Sequence, residues 1–116
     1  MLILVHHDRD GARVIELTGD LDVYTAPRLR DMAAGLISAG HSRLVIDLER
    51  CEFIDAAGLA VIVGTLKRVR ACDGSLAIVC TGERIRKIFE ITGLTRVLTF
   101  CGTVDDALGE QVAADA

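Results

Sequence analysis

Two carboxylates stand where a chain of this kind could place chemistry. Asp22 follows a short apolar run, and Asp55 follows another. Each precedes a stretch with helical periodicity. A carboxylate there can accept hydrogen bonds from the free N–H groups of the helix start, or it can meet a ligand or partner. A paired-carboxylate hydrolase needs a third catalytic group, and none accompanies them. His6, His7 and His41 are scattered, and the four cysteines form no CxxC, so no metal-ligand spacing appears. There is no GxGxxG and no P-loop, which argues against a dinucleotide enzyme or an ATPase. These features argue against an enzyme, and no cofactor is expected.

The elements that must position these residues follow from periodicity. Leu44–Leu48 (LVIDL) has the look of a buried strand, Glu49-Arg50-Cys51-Glu52 of a polar turn. Leu59, Ile62, Val63, Leu66 and Val69 recur as one helical face, with Asp55 as the cap. Upstream, Leu2–Val5 and Arg13–Thr18 predict a hairpin around the polar stretch His6–Gly11. Gly19–Asp22 leaves the sheet, and Thr25 caps a helix with Pro27 in its first turn. Gly40 ends that helix. Downstream, Ser75–Cys80 is a strand, Thr81 caps a third helix, and Gly93 closes it. Arg96–Phe100 is the last strand. Thr103–Asp106 opens a fourth helix with Val104, Ala107, Leu108 and Val112 inward, and Ala113–Ala116 fray. The result is a single α/β domain over residues 1–116. Its sheet is mixed but mostly parallel, with an N-terminal antiparallel hairpin and about four helices.

Composition agrees. At 51% hydrophobic residues the chain can build a core without disulfides, but with 3% aromatics that core must be aliphatic. The formal net charge of −4 argues against a nucleic-acid binder. Lys67, Arg68, Arg70, Arg84, Arg86 and Lys87 read as solvated helix faces. No apolar run approaches the ~20 residues of a membrane span. Met1–His6 lacks the basic start and the length of a signal peptide, so a cytoplasmic protein is expected.

Three motifs carry a resemblance. Phe53-Ile54-Asp55-Ala56-Ala57-Gly58-Leu59 resembles the signature of bacterial anti-sigma factor antagonists, which are single STAS domains. Gly19-Asp20-Leu21-Asp22 is similar to their Gly-Glu-Leu-Asp motif, and Phe89-Glu90-Ile91-Thr92-Gly93-Leu94 to their Phe-Asp-x-x-Gly-Leu stretch. The resemblance implies capture of an anti-sigma factor of the serine-kinase type, and so release of a sigma factor for transcription. ATP and Mg²⁺ would belong to that partner. The contact residues it implies are Asp22, Val23, Tyr24 and Thr25 with Asp55, Ala56, Ala57 and Gly58. In the family the residue after the second Asp is a serine, switched by phosphorylation. Here it is Ala56, beside Ala57, and neither has a hydroxyl. STAS domains also serve as accessory subunits of transport and sensory complexes, the alternative reading. The expected state is a monomer or a weak dimer.

The cysteines suggest a second control. In a parallel sheet Cys51, Cys80 and Cys101 fall at or beyond the C-terminal strand ends, with Cys72 at the opposite end. Cys80 with Cys101 is the candidate redox pair, provided their Cα atoms approach within roughly 7 Å. Against it stands the default of reduced packing thiols in a cytosolic protein.

Overall fold

The computed structural model describes residues 1–115, with side chains as far as residue 109. The chain runs β1 (Leu2–Arg9), β2 (Ala12–Leu21), α1 (Ala26–Ser38), β3 (Arg43–Ile54), α2 (Ala56–Ala71), β4 (Ser75–Val79), α3 (Glu83–Ile91), β5 (Thr99–Cys101) and α4 (Val104–Asp115). The strands form one sheet in the order β1-β2-β3-β4-β5. β1 and β2 are antiparallel, and every later pair is parallel. This is the mixed sheet with an N-terminal hairpin that the sequence predicts.

Because strand order follows chain order, successive right-handed crossovers place their helices on one face. The larger core lies on that face. Leu29 and Ala33 of α1, Ile62, Leu66 and Val69 of α2, and Ile85 and Phe89 of α3 pack there against Ile15, Leu17, Ile46, Leu48 and Ile78. α4 takes the other face, where Ala107 and Leu108 meet Val14, Val45, Ala77 and Val79. Arg9 of β1 bonds Asp105 of α4 at 2.6 Å and ties the hairpin to that helix. The Val112 side chain lies outside the described ones, and α4 continues through Ala113 and Ala114 to Asp115, so of the segment expected to fray only Ala116 lies outside the described residues.

Several boundaries differ from the sequence expectation, each for a local reason. β1 continues through the histidines to Arg9, so the turn shrinks to Asp10-Gly11, both left-handed at φ 53° and 85°. Two such residues make the tight connection whose twist suits a hairpin. β2 keeps pairing through Gly19 and Asp20 to Leu21, so that motif ends the strand and does not leave it. β3 runs on through Glu49–Glu52, the expected turn. Two register shifts against β2 let it do so: between Glu16 and Thr18, and between Gly19 and Asp20, β3 carries the extra residue. Such bulges bend a strand and interrupt its alternation. β4 stops at Val79. Leu94–Arg96 form one 3₁₀ turn after the left-handed Gly93, and this delays β5 to Thr99.

Candidate functional site

The site grows from the ends of β2 and β3. β2 ends at Leu21, whose carbonyl accepts from the Asp55 N–H at 3.2 Å, so both strands release their chains at one level. Asp22 then folds the next residues back. Its Oδ1 accepts from the N–H groups of Tyr24 (2.9 Å) and Thr25 (3.1 Å), and its carbonyl from Ala26 N–H at 2.7 Å. Asp22 therefore does the capping expected of Thr25. The Thr25 side chain makes no cap bond to α1. Its hydroxyl instead lies 2.7 Å from the Asp20 carbonyl and accepts from Asp22 N–H at 2.9 Å, locking the turn from inside.

Asp55 caps α2 as its spacing predicts: Oδ1 accepts from Gly58 N–H at 3.1 Å. Its other oxygen accepts from Val23 N–H, also at 3.1 Å, across to the turn after β2. One carboxylate thus fixes the helix start and the neighbouring loop in a single unit. Both acids spend oxygens on backbone donors, which makes them positioning groups.

Of the eight expected contact residues the structure leaves Val23, Tyr24 and Ala56 exposed and Asp22, Thr25, Asp55 and Ala57 partly buried, with Ala57 packed against the larger core, and it buries Gly58. Tyr24 is 87% and Val23 59% exposed, and Ala56 is exposed beside them in sequence order after the cap. Gly58 is buried. A Cβ there would lie 2.7 Å from the Leu21 carbonyl and 2.9 Å from Ile54. Its missing side chain lets α2 close against β2. Sequence reasoning missed Phe53, 49% exposed at the end of β3. An aromatic ring left half in water next to a capped helix start is the signal that could have marked it. It also missed a groove of about 460 Å³ that starts at Ala56 and follows α2 along Leu59, Val63 and Lys67, with Leu94 on its far wall.

The cysteines correct the redox expectation. Cys80 N–H bonds the Cys101 carbonyl at 3.2 Å, so the two backbones are adjacent. Yet the register pairs Cys101 with Val79, one residue earlier. Cys80 accordingly packs in the larger core and Cys101 in the smaller one, on opposite faces of the sheet. Side chains pointing apart cannot form a disulfide without backbone movement. Cys51 shares the Cys80 face. Burial pushes its thiol up to about 11, and burial likewise raises Cys80. Such thiols stay protonated and inert at neutral pH.

Among the described residues no cluster of three or more His, Cys, Asp or Glu could hold a metal, and no helix is long and apolar enough to cross a membrane. The comparisons agree with the geometry. Residues 4–107 match the STAS domain. The anti-sigma-B factor antagonist of Staphylococcus aureus is 38% identical over 80 residues, 69% of this chain and 74% of that one. The crystal structure of an anti-sigma factor antagonist from Mycobacterium paratuberculosis superimposes with a TM-score of 0.89 at 28% identity, covering 96% of this chain and 94% of that one. The phosphorylated form of the Bacillus cell fate determinant SpoIIAA shares the fold, with a TM-score of 0.72 at 22% identity over 95% and 98% of the two chains. A hairpin-led sheet in chain order, an Asp-capped α2 at its end and a match across nearly the whole length together place this chain in the STAS domain family.

Proposed function

We propose that the protein is an anti-sigma factor antagonist of the cytoplasm. It binds an anti-sigma factor of the serine-kinase type and thereby frees a sigma factor. The observation that carries this reading is the apolar surface around a rigid polar clamp. Val23, Tyr24 and Phe53 remain exposed while Asp22 and Asp55 hold the backbone between them. Exposed aromatics on a fixed backbone bind at low entropic cost, as in interface hot spots. The contact surface comprises Asp22, Val23, Tyr24, Thr25, Asp55, Ala56 and Ala57. We extend it along the α2 groove to Leu59 and Leu94.

Phosphorylation at position 56 would set about two negative charges on the α2 start. Ala56 offers no acceptor for it, so binding is constitutive. Thr25 is a poor substitute, since its hydroxyl is engaged within the turn.

Binding of the kinase-type anti-sigma factor from the source cell, measured by calorimetry, tests the reading. Tyr24→Ala should weaken it at least about tenfold, the loss typical of a hot-spot aromatic. Ala56→Ser should gain phosphate from that kinase with ATP, and the phosphorylated variant should let the partner go. Unchanged affinity for Tyr24→Ala, or capture of a transport subunit in place of the kinase, would overturn the assignment.

A further inference from the structure

The two edges of the sheet are unlike. β5 offers three residues, Thr99–Cys101, between a 3₁₀ turn and α4. β1 offers eight, and its register with β2 is unbroken from Leu2 to Arg9. Natural edge strands are usually blunted by Pro, Lys, a bulge or a covering element. Leu2–His7 contains neither Pro nor Lys, and the register shows no bulge.

The direction of the β1 backbone groups can be read from two bonds. Asp20 N–H donates to the Met1 carbonyl, which turns the odd-numbered residues of β1 toward β2. The even-numbered residues therefore point outward. The Leu2 carbonyl confirms this, because Arg28 of α1 reaches it from outside at 2.7 Å. Beyond that one capped group, Leu4, His6 and Asp8 aim their N–H and C=O groups away from the sheet. On the α4 side of the same strand Ile3 and Val5 are each 48% exposed, opposite Thr18 and Glu16 of β2.

We propose that β1 is a self-association edge and that its occupant is β1 of a second copy, paired antiparallel about a two-fold axis at Val5. That register exchanges hydrogen bonds between Leu4 and His6 of the two copies. It sets Val5 on Val5 in a non-hydrogen-bonded position, where side chains approach most closely. Ile3 of each copy lies diagonal to the other's Val5, so the exposed apolar residues cover one another. Between Leu2 and Asp8 no charged residue faces a like charge. Asp8 falls opposite Leu2 of the second copy, on the α1 side, where the Arg28 guanidinium already waits at the Leu2 carbonyl. At the Leu2–Asp8 position the Leu2 carbonyl is already taken by Arg28, so the ladder is confined to Leu4 and His6. The pairing is self-complementary, as a two-fold interface must be.

Sedimentation equilibrium over a concentration series tests this with the full chain. A dimer is expected, and Val5→Lys should raise its dissociation constant at least about tenfold by burying a charge at the centre. His6→Pro removes an outward donor and leaves the β1–β2 ladder whole, so it should abolish the dimer without unfolding the domain. Amide exchange on the unmodified protein covers the case in which either variant misfolds. The Leu4 and His6 amides should become protected as concentration rises, while the Val5 and His7 amides are protected at every concentration. A chain that stays monomeric throughout, a dimer indifferent to both substitutions, or concentration-independent exchange at Leu4 and His6 would each overturn the proposal.

Discussion

The β3-to-α2 and β4-to-α3 junctions are neighbours at the same end of the sheet and begin alike. Each carries a buried cysteine whose thiol donates to a backbone carbonyl two residues on, Cys51 to Phe53 at 3.3 Å and Cys80 to Gly82 at 3.8 Å. They then diverge. The first ends on Asp55, which caps its own helix and holds Val23 of the adjacent loop. The second has Gly82 at the cap position with no side-chain bond. Its Thr81 is held from the neighbouring strand β3, Glu49 accepting from Thr81 N–H at 2.9 Å with the hydroxyl at 2.7 Å. One junction is fixed from within and leaves an apolar surface open. The other is fixed by an exposed acid, and that acid occupies the surface. A recognition surface needs the first solution, because its polar groups are satisfied inward.

The sharpest way to break this contrast is at the two glycines. Gly58→Ala should destabilise the domain by about 1–3 kcal/mol, the cost of overpacking against a backbone that cannot yield. The obstructing atom is the Leu21 carbonyl. Gly82→Ala meets nothing within 4 Å and should fall within about 0.5 kcal/mol of the parent. Urea denaturation of both variants measures the difference. Equal losses would mean the first junction is no tighter than the second.

Replacing the acids comes next. Asp55→Ala removes the α2 cap and should cost about 0.5–2 kcal/mol. It should also free the Val23 amide to exchange with solvent. Glu49→Ala should cost less, since its bonds to Thr81 are exposed, and it should leave the Val23 amide protected. Hydrogen exchange followed residue by residue separates the two. A larger effect from Glu49→Ala would reverse the ranking of the junctions.

How far these features could be read in the sequence depends on their range. Asp55 three residues before Gly58, ahead of a helical apolar face, is a local pattern, and the structure keeps it. Periodicity likewise marks Ile46, Leu48, Ile62, Leu66 and Val69, and all five are buried, but Leu59 and Val63 of the same helical face are only partly buried and line the groove. The two bonds that differentiate the junctions, Val23 to Asp55 and Thr81 to Glu49, each span 32 residues and leave no local trace. Thr81 and Thr25 both satisfied the local rule for caps, but Glu49 of β3 claims Thr81 and the turn's own Asp20 and Asp22 claim Thr25. The bulges hid the length of β3, because each extra residue broke the alternation that marks a strand. The cysteine pair failed on parity: one residue of register moves a side chain to the other face of the sheet.

The smallest expected effect concerns the two junction thiols, where the junctions should behave alike. Cys51 and Cys80 are both buried and both raised, while Cys72, at the far end of α2, is exposed. At neutral pH an alkylating reagent should label Cys72 first and leave the junction thiols intact until the domain unfolds. Mass spectrometry of the labelled peptides reads this directly. Stability should also be flat through neutral pH as far as Cys51 is concerned. Between its ordinary value of 9.0 and about 11 the unfolded chain has released the proton while the native chain still holds it. The native state then binds more protons, so stability falls as pH rises across that window. Cys51→Ala should lessen this alkaline loss. Rapid labelling of Cys51 at neutral pH would instead show that the first junction opens, and the rigidity assigned to it through Asp55 would fail with it.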